Sequence, residues 1–273
     1  MTSAPHHRLY VAFDDTDTID ADRGTGKVGR WFADELPTGW RLWGTVRQQL
    51  LVHPDVPYTS HNSAAVCVLE RASGNDDAEP RESEIADVVT RAARHLERHW
   101  MEGSDPGLCV AASGSPAIPA LIAFGRRAAT VVVTQAQARR AAEGAHLSGH
   151  GGTNDGIIGA AAGVGLTAQG WSGRLVEYLV PLRELPDPIL VADLEALDIS
   201  VLAVDRDGPI PMAGDMVRHG DWLRPRLWAG VPVLPVQRDG SGGWLAVGPR
   251  TIEAAPPGSG MLGPALTGPP SPA

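Results

Sequence analysis

The stretch "RLYVAFDDTDTIDADRGTGKVG", Arg8–Gly29, constrains the fold of this chain more than any other. Arg8–Phe13 is rich in large apolar side chains without polar alternation, the pattern of a strand buried on both faces. Such a strand needs cover on each side, as in a layered α/β or α+β architecture. The run ends in Asp14, Asp15 and Asp17, with Thr16 between them. In α/β sheets the carboxyl ends of strands are where ligands bind.

In an extended segment Asp15 and Asp17 share one side, and Asp14 and Thr16 the other. Adjacent carboxylates repel unless a cation joins them. A hard ion such as Mg²⁺ takes a few protein oxygens together with water and substrate phosphate. The competing reading is a capped turn, since Asp and Thr both favour turns. Next comes "GTGKVG", Gly24–Gly29. Gly24 and Gly26 free backbone N–H groups to face an anion, and Lys27, the only lysine in the chain, has the reach of a phosphate ligand. The competing reading of Lys27 is a chance surface lysine. The segment is no Walker A loop, because Val28 stands where that motif needs Ser or Thr.

Other polar groupings lie downstream. "GGTNDGIIGAAAGVG", Gly151–Gly165, reads as a glycine loop entering a small-residue helix, with no evident strand directly before it. Thr153–Gly156, including Asn154, suits anion binding, whereas Gly159, Ala160 and Gly163 suit tight helix packing. "VPYTSHNSAAV" gathers Tyr58, Thr59, Ser60, His61 and Asn62 just before a strand. His146 and His150 flank the glycine loop, within reach of a phosphate or substrate. His95 and His99 lie beside Arg94 and Arg98, so a solvated helix face is expected for them.

Strands are expected at Arg41–Val52, Ala64–Glu70, "GLCVAA" and "RLVEYLVPL". Helices are expected in "GRWFADEL", over Ser83–Trp100 with Ser83 as cap, over Ala117–Arg127, over Gln135–Glu143 capped by Thr134, and in "DPILVADLEAL". Beyond Ile199, short Val/Leu/Trp runs suggest a small β-rich unit, and the Pro/Gly/Ser-rich end reads as disordered. The net charge of −9 argues against broad binding to a phosphate backbone and leaves room for a local basic patch. Cys67 and Cys109 form no CxxC pair and read as free, buried thiols of a reduced cytosol. No apolar run has the length of a membrane span, and "MTSAPHHRLY" has no apolar signal core, so a cytoplasmic protein with no membrane partner is expected.

Taken in order, "FDDTDT", "HPDVPYTSHNSAAV", "DPGLCVA", "FGRRAATVVVT", "GTNDGIIGAAAGVG" and "LVEYLVPLR" resemble the landmarks of the archaeal tRNA(Ile) agmatinylcytidine synthetase family. The corresponding family segments are "DDTDS…GMCTT", "NPxxPYKTRGNGAV", an "NPG" strand, "FARRAV…VVT", "GxGRGLIGALAAIG" and "YELIAYR". The resemblance covers roughly Leu9–Arg183. It implies an α+β or α/β fold with a mixed-sheet, kinase-like ATP- and Mg-binding domain over residues 1–143 and a ferredoxin-like domain over 144–205. A small β-rich region (206–253) and a disordered tail (254–273) would follow.

That family uses ATP to phosphorylate a cytidine oxygen and then admits agmatine as the amine. By resemblance, Asp14, Asp15 and Asp17 would hold Mg²⁺–ATP, with Asn62 and Ser63 in the same pocket and Gly156–Gly159 at the junction with the second domain. Departures are concentrated in the chemistry. Aligned on Gly24, the family's phosphorylated threonine falls at Lys27, "KTRGN" has become "TSHNS", and "GRGL" has become "NDGI". On this resemblance the family's downstream OB-fold and zinc ribbon, which grasp tRNA, are expected to be missing.

The leading expectation is an ATP- and Mg-dependent enzyme that phosphorylates an oxygen of a small-molecule acceptor, with or without a later amine. Lys27 would supply a phosphate-facing cation. A tRNA substrate is disfavoured and would need a partner chain for RNA binding. The remaining alternative is a nucleotide-binding module without turnover.

Overall fold

The computed structural model describes residues 7–18, 21, 24–56, 62–72, 78–240 and 242–248. Tyr58, Thr59, Ser60, His61 and the tail at 254–273 lie outside the described residues.

In chain order the first half comprises β1 (Leu9–Asp14), α1 (Thr25–Trp31), a 3-10 turn (Phe32–Glu35), β2 (Trp40–Gln49), β3 (Ser63–Arg71), α2 (Glu82–His99), β4 (Gly107–Ala112), α3 (Ile118–Ala128), α4 (Gln135–Ala141), β5 (His146–Gly149) and α5 (Gly156–Gln169). There follow β6 (Arg174–Glu177), β7 (Ile189–Leu190), α6 (Val191–Ala196), β8 (Ser200–Ala203), β9 (Met216–Arg218), β10 (Arg226–Trp228), β11 (Val231–Arg238) and β12 (Trp244–Ala246). The result is a mixed α+β fold, as the sequence patterns require.

β1 is buried along its whole length, between antiparallel neighbours β3 and β4. Its side chains alternate between two cores. Leu9, Val11 and Phe13 pack with Phe32 and with Val88, Ala92 and Leu96 of α2. Tyr10 and Ala12 pack with residues of α3 and α5 on the other face. β2 extends the sheet beyond β3, and β5 lies outside β4. Past β2 the sheet continues through β6 and β10 to β11, where β8 joins in parallel.

α5 fits because its small residues let the helix approach the strands closely. A methyl on Gly163 would press on Ala64 and Val66 of β3, and one on Gly165 would overlap the backbone of α3 at Leu121. The tight packing expected at Gly159, Ala160 and Gly163 is therefore present. Cys67 and Cys109 are free and buried, and burial pushes both thiols up to about 12.

Four local expectations need correction. His95 is not on a solvated face. It is 1% exposed, its ring 5.8 Å from that of Phe13 and 5.4 Å from that of Phe32, and its Nε2 lies 2.9 Å from Val28 O. It sits three residues after Ala92 and seven after Val88, so helical periodicity places it on the core face despite its arginine neighbours. Second, α2 is started by Glu84, whose carboxylate accepts from Arg81 N at 2.8 Å, rather than by Ser83. Third, a strand does precede the glycine loop. β5 carries the weak signal "HLSG", and its pairing with β4 defines it. Fourth, α1 begins at Thr25, inside the glycine segment. Gly29 serves close packing there, since a methyl would crowd Ala65 and Thr45.

Candidate functional site

β1 delivers Asp14 at its end and then turns sharply. Asp15 adopts φ 50°, the left-handed region that non-glycine residues enter at a cost. Thr16 is buried, its hydroxyl 3.1 Å from that of Thr25. Asp17 Oδ1 accepts from Thr25 N at 3.2 Å and from Thr25 Oγ1 at 3.0 Å, which ties the acidic turn to the start of α1.

The N-terminal end of α5 closes on this turn from the other side. Gly156 N donates to Asp105 O at 2.9 Å, and Gly156 sits so tightly that a methyl would overlap Asp105 and Gly107. A methyl on Gly159 would overlap the carboxylate of Asp14. These glycines let a helix end meet a strand end.

Between the two elements lies a cleft of about 200 Å³. Its polar side carries Asp14, Asp15, Asp17, Thr25, Asn62, Ser63 and Asp155, and its apolar side includes Leu50, Val131, Val132 and Ile158. Asn62 Nδ2 donates to Leu51 O at 2.7 Å, and Ser63 Oγ accepts from Arg47 Nε at 2.8 Å. Asp155 is oriented by Gln135, whose Nε2 donates to Asp155 Oδ1 at 2.7 Å.

The electrostatics are those of buried carboxyls crowded together. Burial, with Asp15 and Asp17 close by, holds the Asp14 carboxyl well above the usual carboxylate range. Burial and then the Asp105 charge raise Asp15 to about 6. A cation placed between them would reverse both shifts. Among the described residues no group of three or more His, Cys, Asp or Glu side chains is arranged to hold a metal ion.

The structure thus brings together Asp14, Asp15, Asp17, Asn62, Ser63, Gly156 and Gly159 of the expected site. Thr16, Gly24, Gly26, Lys27 and Asn154 do not line the cleft. The Lys27 ammonium lies 5.1 Å from the Trp31 ring centroid, and Gly24 neighbours Asp17. Asn154, at φ 65°, packs against Gly149. The amides of Thr153, Asn154 and Gly156 donate to Asp105 Oδ1, Gly151 O and Asp105 O, within the chain. His146 and His150 bracket Ser148, with ring nitrogens 2.9 and 2.8 Å from its hydroxyl, and neither lines the cleft. Sequence reasoning missed Thr25, Asp105 and the apolar wall, and it placed Asp155 only within a stretch expected to bind an anion. Asp155 had a local signal, an aspartate at the start of a helix.

Comparison with protein-family models finds no match, and comparison with curated proteins finds none either. Among solved structures, the complex of TiaS with an isoleucine tRNA and ATP aligns at a TM-score of 0.50 and 21% identity, over 70% of this chain and 44% of that one. The chain has the TiaS fold over that region. Apo TiaS, described as an agmatidine synthetase of that tRNA, aligns at a TM-score of 0.47 and 19% identity, over 69% of this chain and 43% of that one. A tRNA fluorescent labeling enzyme aligns at 0.48 and 21%, over 68% of this chain and 42% of that one. The chain therefore spans less than half the length of TiaS. Among the described residues, no helix is long and apolar enough to cross a membrane.

Proposed function

We propose that the cleft binds ATP with Mg²⁺ and transfers a phosphoryl group to an oxygen of a small-molecule acceptor. One observation carries this reading: carboxylates from the end of β1 and glycines from the start of α5 meet at one cleft, in a fold shared with an ATP-binding TiaS.

The residues fit the cofactor pair in kind. Mg²⁺ is held by one or two carboxylates, with water and phosphate oxygens completing its octahedron, so a preformed three-ligand cage is not required. Asp14 and Asp15 are the ligands best suited, because both carboxyls line the cleft beside the start of α5. Asp17 contributes third, its Oδ1 already held by Thr25. When bound, the ion supplies neutralisation of phosphate charge. The apolar wall of Leu50, Val131, Val132 and Ile158 offers a surface for a base, and Asn62 and Ser63 offer polar contacts beside it. Phosphoryl transfer needs positioning and charge neutralisation more than a protein nucleophile. A kinase without the family's phosphorylated threonine is consistent with that. Lys27 joins this machinery by releasing Trp31, a contact between two half-buried side chains worth about 1 kcal/mol.

Calorimetry with ATP, with and without magnesium, tests the reading. Magnesium-assisted binding is expected, weakened about tenfold or more in Asp14→Asn and Asp15→Asn, each of which removes a charge-assisted contact. Equal binding by these variants, or none by the wild type, overturns it.

A further inference from the structure

Arg47 of β2, Arg174 of β6 and Arg226 of β10 stand side by side across the sheet. Arg47 is the cross-strand partner of Arg174, and Arg174 is in turn the partner of Arg226. Residues directly opposed in this way project from the same face, on strands about 4.8 Å apart. Like charges so placed repel each other.

No acid of the described residues pairs with this row. Arg47 Nε donates to the Ser63 hydroxyl, and the Arg226 guanidinium lies 5.8 Å from the Trp228 ring centroid. Burial and then neighbouring arginines lower the pKa of both Arg47 and Arg174, with Arg224 acting on each. The row lines a cleft of about 320 Å³ that also includes Gln49, Ser172, Trp171 and Trp228. Trp171 is 63% exposed, an unusual position for a large aromatic ring. In a protein of net charge −9, three adjacent arginines without acids form a local field of opposite sign.

We infer that the Arg47–Arg174–Arg226 row is a second binding site, for a phosphate-bearing ligand whose attached ring stacks on Trp171 or Trp228. Guanidinium groups match phosphate oxygens in pairs, and an indole face accepts any base. The row shares no lining residue with the aspartate cleft, and the two adjoin through the Arg47–Ser63 hydrogen bond and through Gln49, whose Nε2 donates to Leu50 O at 3.1 Å and to Asn62 O at 2.8 Å. The inference does not depend on what the aspartate cleft binds.

The test uses the full chain without magnesium, titrated with inorganic pyrophosphate, uridine 5′-monophosphate or a short single-stranded oligouridylate. Tryptophan fluorescence and thermal melting are the readouts. At least one probe is expected to quench the fluorescence and raise the melting temperature. Arg174→Gln/Arg226→Gln is expected to lose about tenfold or more in affinity. Without ligand this variant should melt no lower than the wild type, because the repulsion is relieved. Trp171→Leu should weaken the uridine probes more than pyrophosphate. Oligouridylate binding that is tighter than the monomer's and falls steeply with salt assigns the phosphates to a nucleic-acid strand. Comparable binding of pyrophosphate or monomer assigns them to a small molecule. Unchanged affinity in the double variant, or silence with all three probes, overturns the inference.

Discussion

Gly159 and Asp14 are in contact across the joint between α5 and β1, and no larger residue fits at position 159 while that carboxylate stays in place. Within a helix, Gly→Ala ordinarily gains about 1 kcal/mol. Here Gly159→Ala is expected to destabilise the protein by about 1–3 kcal/mol through overpacking, and to weaken nucleotide binding by displacing Asp14. Thermal melts and calorimetry on the same variant measure both. A variant more stable than the wild type with full affinity would show that the contact is unimportant.

Asp15 links stability to pH. Its carboxyl is raised from 3.8 to about 6 in the folded chain, so between those values the folded state holds the extra proton. Stability is then expected to fall as pH rises from about 4 to 6, the reverse of an ion-paired acid. Asp14 is raised as well and acts in the same sense. Asp15→Asn should flatten part of that slope, as should magnesium with ATP in the wild type. Melting temperature against pH decides it, and an identical slope in the variant counts against the burial of this charge.

His95 acts in the opposite sense. Burial lowers its pKa below 6.5, followed by smaller opposing contributions from the Val28 carbonyl and the His99 ring. Its Nδ1 has no hydrogen-bond partner. Protonation therefore favours the unfolded chain, and the neutral ring's contribution is lost as pH falls below 6.5. His95→Gln keeps an amide able to donate to Val28 O. It should melt with a weaker dependence on pH below 6.5, even if its melting temperature at pH 8 is lower. Chemical denaturation at several pH values tests this.

Lys27→Met separates the two positions of the lysine. Losing the Trp31 contact should change stability by about 1 kcal/mol. If the ammonium turns to the transferred phosphate, turnover falls while ATP affinity changes little. That is the expected result, read as kcat against KM. Unchanged turnover removes Lys27 from the machinery.

The buried run Leu9–Phe13, the small-residue helix after Gly156 and the acids at the end of β1 are all legible in the chain itself. Each is written in residues close together, through periodicity, turn chemistry and composition. β5 is not, because four residues of weak β-propensity become a strand only by pairing with β4. His95 is misread for a related reason: its neighbours in sequence are arginines, and its neighbours in space are Phe13 and Phe32.

Local pattern was thus enough to specify most of the elements, the layered α+β class and the acidic edge where β1 ends. Folding settled which groups face each other. It set Gly159 on Asp14 and aligned Arg47, Arg174 and Arg226 in one row. The physical reason is strand register. Residues distant in sequence become neighbours through backbone pairing and close packing, and no local preference encodes which pairs will meet.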